Sequence, residues 1–156
     1  MTTSRIQLAL NVTDLDAATS FYRELFGVEP AKQRPGYVNF AITDPPLKLV
    51  LFHNPDAVSP LNHLGVEVAT AGQVRDAASR FAASGLAHTV AEGERCCHAV
   101  QDKVWVKAPD VPLGAWEVYT VLGDDPTASA ASPSGACCTG SSPATGPCCG
   151  SGEQGS

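Results

Sequence analysis

From Ile6 to Val12 the chain alternates, with Ile6, Leu8, Leu10 and Val12 on one parity and Gln7, Ala9 and Asn11 on the other. Such alternation predicts a strand with one buried apolar face. Thr13 followed by Asp16 reads as a helix N-cap with an acidic first turn. Leu15, Ala18, Tyr22, Leu25 and Phe26 then recur at helical spacing, and Gly27 is a natural stop. Residues 37–42 and 48–52 read as strands around the Asp44-Pro45-Pro46 turn, with a short strand over 31–34 before them. After a loop the pattern restarts. Residues 63–68 form a strand. Residues 72–84 form a helix with Val74, Ala77, Ala78 and Phe81 inward and Gly85 as its stop. Three more strands follow over 87–91, 103–107 and 116–122. The expected fold is α+β, with two tandem β-α-β-β-β modules over 4–54 and 60–122 making one domain, 1–122.

The halves align on side chains. Gln7-Leu8-Ala9-Leu10 lies over His63-Leu64-Gly65-Val66, and Leu49-Val50-Leu51-Phe52 over Trp116-Glu117-Val118-Tyr119. From Gln7 to Val50 is 43 positions and from His63 to Glu117 is 54, so the second half carries about 11 more residues. They fall between its second and third strands, around Cys96-Cys97. The thiol pair reads as part of a flexible loop inserted in one copy of a duplicated unit.

In each strand the apolar parity packs on the helices and the other faces the concave side. Gln7, His63 and Glu117 share that second parity, with Val50, Phe52 and Tyr119. An imidazole, a carboxylate and an amide from three strands suit a divalent first-row metal with open coordination positions. Val50, at the fourth pseudo-symmetric position, cannot ligate. His53 has the wrong parity, His88 starts a strand, and His98 belongs to the cysteine loop. Two adjacent thiols suit a soft centre, and Arg95 beside them favours thiolate by charge proximity.

Beyond Leu122 the pattern ends. Gly, Ser and Pro make up about half of residues 123–156, which predicts a disordered tail. It carries Cys137, Cys138, Cys148 and Cys149, so the six cysteines form three adjacent pairs. Adjacent cysteines are poor staples, and free thiols are expected. The net charge of −6, with ten Lys and Arg, argues against nucleic-acid or anionic-membrane surfaces. No run approaches the roughly 18 apolar residues of a membrane span, and the N-terminus lacks a signal-peptide core. A cytoplasmic location is expected.

The duplicated β-α-β-β-β pattern resembles the vicinal oxygen chelate superfamily over about residues 4–122. More narrowly, Arg5-Ile6-Gln7-Leu8-Ala9-Leu10, Asn62-His63-Leu64-Gly65-Val66-Glu67-Val68, Cys96-Cys97, Gln101-Asp102-Lys103-Val104-Trp105-Val106 and Trp116-Glu117-Val118-Tyr119 resemble the organoarsenical carbon–arsenic lyases and their cadmium-induced relatives. That resemblance implies Fe(II)- and O2-dependent cleavage of the C–As bond in trivalent organoarsenicals. It implies Gln7, His63 and Glu117 as iron ligands and Cys96 with Cys97 as arsenic ligands, with no further catalytic residue. Gln7 stands where some of these enzymes have a histidine. A homodimer is an admissible assembly. The alternative is a non-enzymatic thiol protein that binds cadmium or arsenic, which accounts better for the tail cysteines. A glyoxalase-type isomerase would need a fourth ligand or a second base, and Val50 counts against it.

Overall fold

A computed structural model of the chain describes residues 4–109 and 115–125. Its first helix is capped one residue later than the sequence suggests. The Asp14 carboxylate, not the Thr13 hydroxyl, accepts the Ala17 N–H at 2.9 Å, and α1 (Leu15–Phe26) follows. Asp14 also places a negative charge at the positive end of the helix. Gly27 closes α1 in the left-handed conformation, φ 65°. The second helix, α2 (Ala71–Ala83), opens on a capping box between Thr70 and Gln73.

Eight strands form one mixed sheet. They are β1 (Arg5–Val12), β2 (Lys32–Arg34), β3 (Tyr37–Ile42), β4 (Leu47–His53), β5 (Leu61–Glu67), β6 (His88–Cys96), β7 (Ala99–Lys107) and β8 (Ala115–Asp124). Their spatial order is β2-β3-β4-β1-β5-β8-β7-β6. Each half repeats one layout: β1 runs parallel to β4, as β5 does to β8. The halves join where β1 and β5 pair antiparallel. The duplication read from the side chains is therefore a duplication in space, with a pseudo-twofold axis between β1 and β5.

The apolar parity builds two helix-side cores. Phe40, Ile42, Leu49 and Leu51 pack with Leu8, Leu10 and α1. Val104 and Val118 pack with Val74, Ala77 and Phe81 of α2. The opposite parity is left for the concave face.

The extra residues of the second half do not form a loop. They lengthen a hairpin: β6 and β7 have nine residues each, against three and six in β2 and β3. Cys96 pairs with Ala99 across a two-residue turn. The turn residues Cys97 (φ 55°) and His98 (φ 63°) are both left-handed, as a type I′ hairpin requires. Positive φ is uncommon in such side chains. The cysteine pair is thus held at a hairpin tip.

That tip crosses to the first module. The Lys32 ammonium donates to the His98 carbonyl at 3.1 Å and ion-pairs with Asp124, while the Asp125 N–H donates to the same carbonyl at 2.9 Å. Strand β8 therefore runs to Asp124, two residues past the expected Leu122, and Asp125 is buried. The tail cysteines Cys137, Cys138, Cys148 and Cys149 lie outside the described residues.

Candidate metal and thiol site

Gln7, Gly65 and Glu117 stand in register on three neighbouring strands, β1, β5 and β8. A Cβ on Gly65 would lie 2.8 Å from Glu117 Cγ and 3.4 Å from Gln7 Nε2. The missing side chain lets the two flanking residues meet across β5. His63, two residues earlier on β5, points to the same concave face. Gln7, His63 and Glu117 are 4%, 3% and 3% exposed. Gln7 Nε2 lies 2.6 Å from Glu117 Oε1 and 2.8 Å from His63 Nε2, and those two atoms are 3.0 Å apart. The structure brings together all three residues singled out by parity.

A backbone carbonyl fixes the tautomer of His63. The Ser59 carbonyl can only accept, so Asn11 turns its amide nitrogen to it at 2.9 Å. Asn11 Oδ1 then accepts from Asn62 Nδ2 at 2.9 Å, which leaves Asn62 Oδ1 facing His63 Nδ1 at 2.7 Å. A ring proton belongs on Nδ1, and in the neutral ring Nε2 presents a lone pair inward. A partner that fixes the outer ring nitrogen is the usual support of a metal-binding histidine.

Glu117 supplies the negative charge. Burial by itself would raise its carboxyl pKa, but the Lys103 ammonium, the His63 ring and the Gln7 amide together outweigh that effect, and the pKa is lowered to about 2. Lys103 is 1% exposed and lies 3.4 Å from Glu117 Oε2 and 3.6 Å from Glu94 Oε2. Two lone-pair atoms of ionised or neutral bases thus converge on one point beside an amide. Among the described residues no group of three His, Cys, Asp or Glu side chains is arranged to hold a metal. A site here has to take Gln7 as its third donor. The separations of 2.6–3.0 Å are close to the edge of an octahedral face, about 3 Å for bonds of about 2.1 Å. Imidazole, carboxylate and amide oxygen fit Fe(II), Mn(II) or a similar first-row ion.

Cys97 reaches this site from the hairpin tip. Cys96 and Cys97 have Sγ atoms 3.0 Å apart, farther than a disulfide bond. Cys96 is fully buried, and Cys97 packs on an apolar wall of Ala9, Tyr37, Val50 and Phe52. A cavity of about 20 Å³ is shared by Cys97, Gln7, His63, Glu117 and Lys103. Val50 also lines it, at the position equivalent to Glu117, so this wall offers no fourth ligand. His98, expected as an ordinary loop residue, is 6% exposed with its ring 5.3 Å from that of Tyr37. Neither of its ring nitrogens has a hydrogen-bond partner among the described residues. Arg95 does not serve the thiols as expected; it turns outward to Asp125 at 3.2 Å with its side chain 70% exposed. His53 is exposed at the end of β4, and His88 bonds the Leu86 carbonyl at 2.9 Å.

Sequence reading missed Lys103, Asn62 and Gly65. Lys103 lies at an inward position of a strand otherwise rich in Val and Trp, and that mismatch was its signal. Asn62 adjoins the candidate histidine, and Gly65 is the small residue between two candidate donors.

The Glyoxalase/Bleomycin resistance protein/Dioxygenase superfamily model matches residues 5–110, and the chain belongs to that superfamily. It is 56% identical over 124 residues to the cadmium-induced protein CadI of Mycobacterium tuberculosis, covering 80% of each chain. It is 54% identical over 137 residues to the trivalent organoarsenical cleaving enzyme of Thermomonospora curvata, covering 87% of this chain and 89% of that one. These relatives bear out the resemblance read from the sequence. A Mn(II)-bound glyoxalase from Novosphingobium aromaticivorans shares the fold at TM-score 0.55 and 16% identity, over 79% of this chain and 42% of its own. Homoprotocatechuate 2,3-dioxygenase from Arthrobacter globiformis does so at 0.51 and 17%, over 76% and 35%. Among the described residues no helix is long and apolar enough to cross a membrane.

Proposed function

We propose that the protein cleaves the carbon–arsenic bond of trivalent organoarsenicals, releasing inorganic arsenite in an Fe(II)- and O2-dependent reaction. The observation that carries this reading is the shared cavity: Cys97 faces Gln7, His63 and Glu117. The name and 54% identity of the Thermomonospora curvata relative support the same chemistry.

The chain's own residues divide the work. A monosubstituted trivalent arsenical has two exchangeable hydroxyls. The thiols of Cys96 and Cys97, 3.0 Å apart, displace both as water and leave the carbon substituent attached. Cys97 then directs that substituent toward the three-donor face, so that two reactants are held in one small space. The Tyr37, Val50 and Phe52 wall receives the apolar group and keeps water out. Gln7, His63 and Glu117 would hold Fe(II), which supplies the binding and activation of O2. Lys103 offsets the Glu117 charge and keeps it ionised at neutral pH. With a methyl substituent the atoms balance as methylarsonous acid plus one O2 giving As(OH)3 and formaldehyde.

A cavity of about 20 Å³ holds one water, not an organoarsenical. Substrate loading therefore has to move the cysteine hairpin, and the Lys32, Asp124 and Asp125 contacts are what it must leave. Loops and hairpins that close over a site commonly work this way.

The second reading, thiol-based binding of cadmium or arsenic without turnover, is favoured by the name of the 56% identical cadmium-induced relative. Arsenic speciation after aerobic incubation with Fe(II) and methylarsonous acid separates the two. Arsenite with formaldehyde supports the lyase; methylarsonous acid recovered unchanged from the protein supports sequestration.

A further inference from the structure

We infer that Gln7 is a turning ligand: without a metal its amide NH2 fills the point between His63 Nε2 and Glu117 Oε1, and metal entry requires that amide to rotate by a half-turn while the Tyr119 hydroxyl changes from donor to acceptor. The inference rests on Gln7, His63 and Glu117 being the metal site, and adds to it how the weakest of the three donors is controlled.

The hydrogen bonds that run from the Ser59 carbonyl through Asn11 and Asn62 place a ring proton on His63 Nδ1, so in the neutral ring Nε2 carries a lone pair. Glu117 is an ionised carboxylate. With a neutral ring both atoms only accept, and they sit 3.0 Å apart and buried. Two converging buried acceptors need a donor between them. The Gln7 NH2 is that donor, with one hydrogen for His63 at 2.8 Å and one for Glu117 at 2.6 Å. The amide oxygen consequently faces away and accepts from the Tyr119 hydroxyl.

A cation reverses these demands. An amide nitrogen has no lone pair to give, so only Oε1 can ligate. Rotation about the last side-chain torsion of Gln exchanges the two atoms, and that torsion is soft and two-fold. After the turn the NH2 faces Tyr119. A hydroxyl can accept as readily as it donates, so Tyr119 satisfies the amide in both states. A phenylalanine could do neither. Tyr119 is 1% exposed, so water cannot readily substitute for it. Tyr119 is thus a positioning residue that acts through Gln7.

The test uses the full chain, labelled with 15N and stripped of metal, with Zn(II) as a diamagnetic probe. A through-hydrogen-bond nitrogen–nitrogen coupling between Gln7 Nε2 and His63 Nε2 is expected in the metal-free protein. It should vanish on adding Zn(II), as the His63 Nε2 shift reports coordination. Absence of the coupling without metal, or its persistence with Zn(II) on His63, overturns the turning ligand alone. An unmoved His63 shift at saturating Zn(II) overturns the metal site itself, and the inference with it. Tyr119→Phe gives an independent readout: Zn(II) affinity should fall about tenfold or more, the range seen when a ligand loses its supporting partner. In a Gln7→Glu background both ligand oxygens are alike and no turn is needed, so the same change should cost under about threefold. An equal loss in both backgrounds would show a merely structural role for Tyr119 and overturn the inference.

Discussion

Lys103 Nζ lies 3.4 Å from Glu117 Oε2 and 3.6 Å from Glu94 Oε2, one buried ammonium serving two carboxylates. Glu117 has its folded pKa at about 2, below the ordinary 4.5. Its contribution to stability is therefore full above about pH 4.5 and is lost as pH falls toward 2. Lys103→Met leaves the carboxylates without their cation and is expected to cost about 3–5 kcal/mol at pH 7. The deficit should shrink as pH falls toward 4, because a protonated Glu117 no longer needs the ammonium. Urea unfolding of both proteins across that range checks the size and the sign.

Gly65→Ala puts a methyl 2.8 Å from Glu117 Cγ and 3.4 Å from Gln7 Nε2. Glu117 or its strand has to give way. The expected result is a loss of first-row metal affinity of about tenfold or more with the fold retained. Calorimetric titration with Co(II), beside far-ultraviolet circular dichroism, measures both.

Cys96→Ser and Cys97→Ser should each abolish tight capture of a trivalent organoarsenical, because one thiol leaves one hydroxyl undisplaced. Metal affinity should stay within about threefold, since neither sulfur belongs to the three-donor face. Trp105 lies 5.7 Å from His63 and offers a fluorescence signal for the capture step. Normal capture by both variants would remove the thiols from the account.

The hairpin tip is held to the first module by Lys32 and the end of β8. Lys32→Ala should speed organoarsenical capture in stopped flow while costing under about 1 kcal/mol of stability, as expected of a partly exposed ion pair. Slower or unchanged capture would mean that the hairpin does not open at this contact.

A chain ending at Asp125 should retain arsenite release, since every contact described above lies within it. A chain ending at Leu122 loses Asp124 and Asp125, and with them the contacts to Lys32, Arg34 and His98. It should unfold at a lower temperature and capture substrate poorly. Equal loss of activity at both ends would assign the tail thiols a part in the reaction.

The strands and the convergence of Gln7, His63 and Glu117 were legible because alternation with period two fixes which face a residue meets, and these three broke the apolar pattern on a single face. The hairpin was not legible. Its turn uses Cys97 and His98 at positive φ, without the Asn or Gly that usually announces such a turn. Lys103 was read as the start of a strand that in fact begins at Ala99, so its inward direction carried little weight. Asp124 and Asp125 looked like tail because Gly123 seemed to end the strand; their partners Lys32 and His98 are distant in sequence. Tyr119 was on the correct face, but its bond to Gln7 joins residues 112 positions apart. What escaped was chiefly contact between the two halves, which no local pattern encodes.

The central claim is tested most directly by incubating the Fe(II)-loaded protein with methylarsonous acid, in air and without oxygen, and separating the arsenic species. The account expects arsenite and formaldehyde in equal amounts in air and neither without oxygen. Arsenite formed at the same rate in both atmospheres, or unchanged methylarsonous acid in air, would contradict it.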